Sequence, residues 1–126
     1  MTIAKQLKIK EFPFEIKDSN GNYIYFEDSN GNWYKREYDS KSNQIYWENS
    51  DGYWFKREYD SNGNQIYFEN SDGYWAKSEY DSKGKEIYYE NSSGTIIDHR
   101  PKTEIQKAIE LLTKEGLLVD GKILKN

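Results

Sequence analysis

The feature that most constrains this chain is a repeat of 21 residues. Segments beginning at Glu27, Glu48, Glu69 and Glu90 align as EDSNGNWYKREYDSKSNQIYW, ENSDGYWFKREYDSNGNQIYF, ENSDGYWAKSEYDSKGKEIYY and ENSSG. A period of this size marks an array of supersecondary units, each too small to bury its own apolar side chains and dependent on its neighbours. A shorter rhythm lies inside it. The tetrapeptide Asp/Asn-Ser-x-Gly recurs at 18, 28, 39, 49, 60, 70, 81 and 91, with Ser42 in place of Gly in the third copy. The intervals alternate between 10 and 11 residues.

These tetrapeptides are turn chemistry. Asp and Asn side chains accept from backbone amides two residues on, and Gly takes the positive φ that a tight hairpin requires. Between them run short segments such as Tyr53 to Tyr59 (YWFKREY) and Asn64 to Glu69 (NQIYFE). Aromatic and β-branched residues suit a pleated sheet. The expected fold is mainly β: an antiparallel β-hairpin repeat meander with a 21-residue period and a C-terminal α-helix cap. Seven strands are expected between Gly21 and Asn91, with edge strands possible on either side.

An odd period raises a parity problem, because side chains alternate faces along a strand and residues 21 apart would swap sides. Loops of unequal parity would solve it. A three-residue loop at Ser50-Asp51-Gly52, combined with a two- or four-residue loop around Asn62-Gly63, would place Ile45, Trp47, Tyr53, Phe55, Tyr59, Ile66 and Phe68 on one face. Tyr46, Trp54, Lys56, Glu58, Tyr67 and Glu69 would then share the other. The opposite assignment of loop lengths groups Trp54 with Ile45, and sequence alone leaves both open.

The flanks read as caps on a single domain, 1–126, divided into an N-terminal cap (1–17), the hairpin repeats (18–94) and a C-terminal helical cap (95–126). Thr2 to Leu7 is expected to make one or two helical turns, and the rings of Phe12-Pro13-Phe14 to cover one end of the sheet. After Gly94 the period stops and Pro101 intervenes. Thr103-Glu-Ile-Gln106 has the form of a capping box. Ile105, Ala108, Ile109 and Leu112 then repeat at helical spacing, and Gly116 is a terminator. Residues 119–123 suit a short final hairpin.

Aromatic residues make up 17% of the chain against 35% hydrophobic residues in all, so the rings must do much of the packing. There is no cysteine and one histidine, His99. Disulfides, thiolate metal sites and thiol nucleophiles are thereby excluded, and a reducing, cytoplasmic setting is expected. No apolar run approaches the roughly 20 residues of a membrane span. The Glu37/Glu58/Glu79 row alternates with Lys35, Lys56 and Lys77 in the same strands, so charge pairing explains it better than paired-carboxylate hydrolysis. Asp18 to Asn22 resembles the start of a calcium loop, but Ser29 stands where the bidentate Glu is required. We therefore expect no enzyme, no cofactor and no metal.

Charge is unevenly spread. Residues 18–94 hold 8 Lys/Arg against 15 Asp/Glu, within a chain of net charge −4. A protein working by phosphate neutralisation would show the opposite sign, so direct nucleic-acid binding is the weaker reading. The candidate binding surface is a row of Trp33, Trp54 and Trp75 with Lys35, Lys56 and Lys77 two residues along each strand. Arg36 and Arg57 lie in the same strands and are expected to point the other way.

Glu37-Tyr-Asp-Ser-Lys-Ser-Asn43, Glu58-Tyr-Asp-Ser-Asn-Gly-Asn64 and Glu79-Tyr-Asp-Ser-Lys-Gly-Lys85 resemble the YD repeats of rearrangement-hotspot (RHS) proteins. Large members wind such repeats into a shell, which three or four units are too few to close. The whole chain, from Thr2-Ile-Ala-Lys-Gln-Leu7 through Phe12-Pro-Phe14 to the Tyr-Phe-Glu-Asn-Ser-Asp-Gly-Tyr-Trp units, is more similar to small tandem-repeat proteins of bacteriophages and mobile elements. That resemblance implies a stoichiometric inhibitor of host defence, of the anti-CRISPR kind, with a Cas nuclease or its guide-RNA complex as partner. The alternatives are a structural module that forms a homodimer through its aromatic face, and a sheet that binds single-stranded nucleic acid.

Overall fold

A computed structural model of the chain describes residues 2–116, together with the backbone of 118–119 and 122–123. A short helix, α1 (Ile3–Gln6), precedes nine strands in unbroken succession: β1 (Phe14–Lys17), β2 (Tyr23–Glu27), β3 (Trp33–Tyr38), β4 (Gln44–Asn49), β5 (Trp54–Tyr59), β6 (Gln65–Asn70), β7 (Trp75–Tyr80), β8 (Glu86–Asn91) and β9 (Ile96–Asp98). Every strand pairs antiparallel with the next, giving one open meander in sequence order. The expected seven strands are β2 to β8, and β1 and β9 are the two edges. Helix α2 (Glu104–Lys114) and a two-stranded hairpin of β10 (Leu118–Val119) and β11 (Lys122–Ile123) complete the described chain.

All eight tetrapeptides form the same turn. In each, the Asp or Asn amide donates to the carbonyl four residues on, and the fourth residue's amide donates back to the Asp or Asn carbonyl. The side-chain oxygen also accepts from the amides two and four residues ahead, as Asp60 does from Asn62 and Asn64 at 2.9 Å and Asn49 from Asp51 and Tyr53 at 3.0 and 3.1 Å. Ser42 takes the glycine's left-handed conformation at φ 64°.

Equal turns overturn the expected solution to the parity problem. The loops at 50–52 and 61–63 are both three residues long, so neither corrects the odd period. The correction lies inside the strands. Glu37 faces Tyr46 but Tyr38 faces Gln44, leaving Ile45 as an extra residue, and Ile66 and Ile87 are skipped in the same way. Ile24 occupies the corresponding bulge in β2. A bulge adds one residue to one strand of a pair and restores the alternation beyond it.

With that correction the sheet separates into two faces, close to the first of the two arrangements expected. On one, which we call the ring face, cross-strand rows read Phe26, Tyr34, Asn49, then Arg36, Trp47, Phe55, Asn70, then Arg57, Phe68, Ala76, Asn91, then Ser78, Tyr89, Ile97. On the other, the carboxylate face, they read Tyr25, Lys35, Glu48, Trp54, then Glu37, Tyr46, Lys56, Glu69, Trp75, then Glu58, Tyr67, Lys77, Glu90, Ile96. Ile45 and Ile66 depart from expectation. They border an open depression shared with Glu37, Tyr46, Lys56, Glu58, Tyr67 and Glu69, because the bulge turns them from the ring face.

The sheet is a single layer. Among the described residues only Ala4, Tyr25 and Glu27 are buried, and they sit where α1 meets β2. Glu27, 2% exposed, accepts the Ala4 amide at 3.1 Å and the Tyr25 hydroxyl at 2.9 Å. Burial pushes its carboxyl upward, but hydrogen bonds from Thr2, Ala4 and Tyr25 and the nearby Lys5 charge outweigh it and hold the group below the usual range. Phe14 packs edge-on against Tyr25, with ring centres 6.2 Å apart. The N-terminal cap is thus a carboxylate bridge as much as a ring cover.

Helix α2 starts as its capping box predicts: the Thr103 hydroxyl accepts the Gln106 amide and the Gln106 side chain accepts the Thr103 amide. It differs from expectation in packing. None of its residues is buried, so it does not cover the sheet as a cap would.

Candidate functional site

Each tryptophan of the expected row opens an odd-numbered strand at the same end of the sheet. Its place is fixed by the turn of the next hairpin: the Ser50 amide donates to the Trp33 carbonyl at 2.9 Å, and the Trp33 amide donates to Ser50 Oγ at 3.2 Å. Ser71 and Ser92 brace Trp54 and Trp75 identically. Backbone groups left beyond the ladder are thereby satisfied, which explains the serine after each Asn of this edge.

Lys35, Lys56 and Lys77 lie two residues along and on the same face, with their ammonium groups 5.7, 5.2 and 5.1 Å from the ring centres of Trp33, Trp54 and Trp75. Each lysine is also flanked across the sheet by a tyrosine and a glutamate: Tyr25 and Glu48, Tyr46 and Glu69, Tyr67 and Glu90. Lys35 reaches Glu48 at 3.7 Å. Each tryptophan of the row therefore has its own cation over the ring, and each of these lysines has a glutamate as its cross-strand neighbour.

Carboxylates outnumber those lysines. Glu48 and Glu90 each accept a hydroxyl at 2.6 Å, from Tyr46 and Tyr88, and Glu69 accepts Tyr67 at 3.4 Å. The Tyr46 hydroxyl is pushed up to about 12, first by that bond and then by burial and the charges of Glu48 and Glu37. Glu37 and Glu58 are exposed and form no hydrogen bond or ion pair among the described residues. Glu79, next in their row, meets Arg100 at 3.2 Å. Arg100 also grips Asp98 at 2.8 Å and lies 4.1 Å over the Tyr88 ring. Its hydrogen bonds lower the Asp98 carboxyl to about 2.

The ring face is built differently. Phe26, Tyr34, Trp47, Phe55 and Phe68 stack in a continuous series, with centres 4.7, 6.0, 5.7 and 5.9 Å apart and planes within 28° of parallel. Arg36 lies 4.8 Å over Tyr34, and Arg57 4.5 Å over Phe55. The Nε atoms of both arginines are buried without an acceptor. Rings stacked on one another expose mainly edges, so bases find few open ring faces here.

The structure thus brings Trp33, Trp54, Trp75, Lys35, Lys56 and Lys77 together on one face and sets Arg36 and Arg57 on the other. Sequence reasoning missed Glu27 and Arg100. Glu27 is indistinguishable by pattern from Glu48, Glu69 and Glu90, and Arg100 lies outside the period. His99 adds only its amide, donated to the Ile87 carbonyl at 2.7 Å, and an exposed ring. Among the described residues, no group of three His, Cys, Asp or Glu side chains is placed to hold a metal, and no helix is long and apolar enough to cross a membrane. No protein-family model matches the chain, and no curated protein sequence does.

Proposed function

We propose that this chain is a non-catalytic binding protein whose carboxylate face occupies a basic, nucleic-acid-handling groove of a partner protein. The observation that carries the reading is the row of exposed carboxylates without cationic partners, Glu37 and Glu58, repeated every second strand, hence about 10 Å apart across the sheet or somewhat more with stagger. Glu48, Glu69 and Glu90 stand beside them, oriented by tyrosines. Charge complementarity of this kind favours rapid, selective encounter with a polycationic groove. The tryptophans at the rim supply large contact surfaces. The similarity to phage-borne repeat proteins puts host-defence nucleases first for assay, a Cas effector with its guide RNA among them.

The test is binding of the full chain to a panel of such nucleases at micromolar concentration and low salt, followed by a salt titration. Association that weakens with salt and falls in Glu37→Gln/Glu58→Gln supports the reading. No association with any member, or affinity indifferent to the double substitution, sinks it.

A further inference from the structure

Tyr46, Tyr67 and Tyr88 occupy one setting on the carboxylate face, each directly across from a glutamate of the preceding strand, Glu37, Glu58 or Glu79. Each hydroxyl donates to the glutamate two residues on, Glu48, Glu69 or Glu90, which holds the ring in place. A tethered ring beside a carboxylate thus forms one recess per repeat. The last of them is filled from within the chain. Arg100 reaches back over Tyr88, its guanidinium carbon 4.1 Å from the ring centre, and donates to Glu79 at 3.2 Å and to Asp98 at 2.8 Å.

The first two recesses have the same ring and carboxylate without that filling. Glu37, Tyr46, Glu58 and Tyr67 border one open depression together with Ile45 and Ile66. The lysine across from each ring, Lys56 or Lys77, leans on its own tryptophan instead, at 5.2 or 5.1 Å. The period also supplies a second carboxylate. Counting back from Arg100 by 21 residues reaches Glu79 and then Glu58. Tyr46 therefore has Glu37 directly across on one side and Glu58 diagonally across on the other, two carboxylates as Arg100 has at Tyr88. A guanidinium suits such a recess better than an ammonium does. It is planar and weakly hydrated, so it can lie on a ring while its edge donates to carboxylates, whereas an ammonium is a compact, strongly hydrated point charge.

We propose that the recesses at Tyr46 and Tyr67 each receive an arginine side chain of a partner protein, stacked on the ring and donating to Glu37 or Glu58, as Arg100 does at Tyr88 and Glu79. The inference rests on the carboxylate face being the binding face, and adds the residue type that this face selects. The two recesses lie two strands apart, about 10 Å. The partner therefore presents arginines at that interval, close to two turns along one side of a helix.

The probe is a synthetic polyproline peptide with arginine at every third position, which sets those side chains about 9 Å apart on one edge, compared with the same peptide carrying lysine. Calorimetric titration of the full chain at low salt is expected to show the arginine peptide binding about ten-fold more tightly. Tyr46→Leu/Tyr67→Leu removes that preference. Arg100→Gln vacates the third recess, and raises affinity for a three-arginine peptide more than for its three-lysine counterpart. Circular dichroism confirms the sheet in each variant, and the gain in Arg100→Gln is read whether or not the tyrosine pair folds. No binding of either peptide, equal affinity for both, a preference that survives loss of both rings in a folded sheet, or no selective gain in Arg100→Gln overturns the proposal. Equal peptide affinities beside nuclease binding that falls in Glu37→Gln/Glu58→Gln overturn arginine selection alone and leave the basic-groove reading standing. Arginine preference with no nuclease bound upholds the recesses and sinks the choice of partner.

Discussion

The two faces of the sheet use the same residue classes to opposite ends. On the ring face, aromatic side chains lean on one another and the two arginines lie on the rings. On the carboxylate face, apart from Tyr25 stacked on Trp33 at 6.3 Å beside the N-terminal cap, tryptophans and tyrosines alternate with charged residues. One face coheres through ring-to-ring contact, and the other is a lattice of short polar links. A single-layer sheet has no interior to share, so the ring face must supply much of the cohesion while the opposite face stays chemically open.

The most severe way to break that comparison is to remove the residue that keeps the faces apart. Deleting Ile66 takes out a bulge and moves the side chains on one side of it to the wrong face. The expected outcome is loss of the cooperative thermal transition seen by circular dichroism. A transition preserved at the parent temperature would mean that the bulges are incidental.

Next in size is a paired truncation. Trp47→Ala removes ring contacts to Tyr34, Tyr53 and Phe55. As Trp47 is only half-buried, about 2 kcal/mol is expected, below the full range for a core aromatic. Trp54→Ala loses its contact with Lys56 and part of its packing, while the Ser71 brace holds its backbone. About 1 kcal/mol is expected there. Urea unfolding of both variants ranks the faces, and equal losses would erase the distinction.

The smallest effect is read by alkaline titration. The Tyr46 hydroxyl is pushed up to about 12, first by the hydrogen bond it donates to Glu48 and then by burial and the neighbouring carboxylate charges. A raised folded value contributes stability fully below the unfolded tyrosine value near 10. That contribution is lost as pH rises through about 12. Glu48→Gln should bring one tyrosine titration down toward the ordinary value in the ultraviolet difference spectrum. An unchanged curve would mean that the bond in the ladder carries no electrostatic weight.

Much of the fold was legible because the turns announce it: Asp or Asn opens each one, and the fourth position fixes the chain reversal. The face partition was within reach for Trp47, Phe55 and Phe68 against Trp54, Lys56 and Glu69. Ile45 and Ile66 were misplaced because the extra residue was sought in the loops. Yet Gly52 and Gly63 occupy the same position in their tetrapeptides, which already implies equal loops, and the recurrent Ile-Tyr pair marks the bulge. The site was legible as residue types, but not as contacts. Nothing in the spacing distinguishes a lysine facing solvent from one held between a tyrosine and a glutamate. Burial of Glu27 and exposure of α2 depend on how the flanks dock, about which a repeat pattern is silent.

The bulge also sets the grammar by which this gene can grow or shrink. Because each unit carries its own parity correction and its own serine brace, duplicating or excising 21 codons adds or removes two strands without turning any side chain over. The protein then lengthens or shortens by about 10 Å at a time, while a duplication of only 10 or 11 codons would reverse the chain's direction and scramble the array beyond it. Unequal recombination between such tracts can therefore tune reach in fixed increments, leaving both flanks as they were.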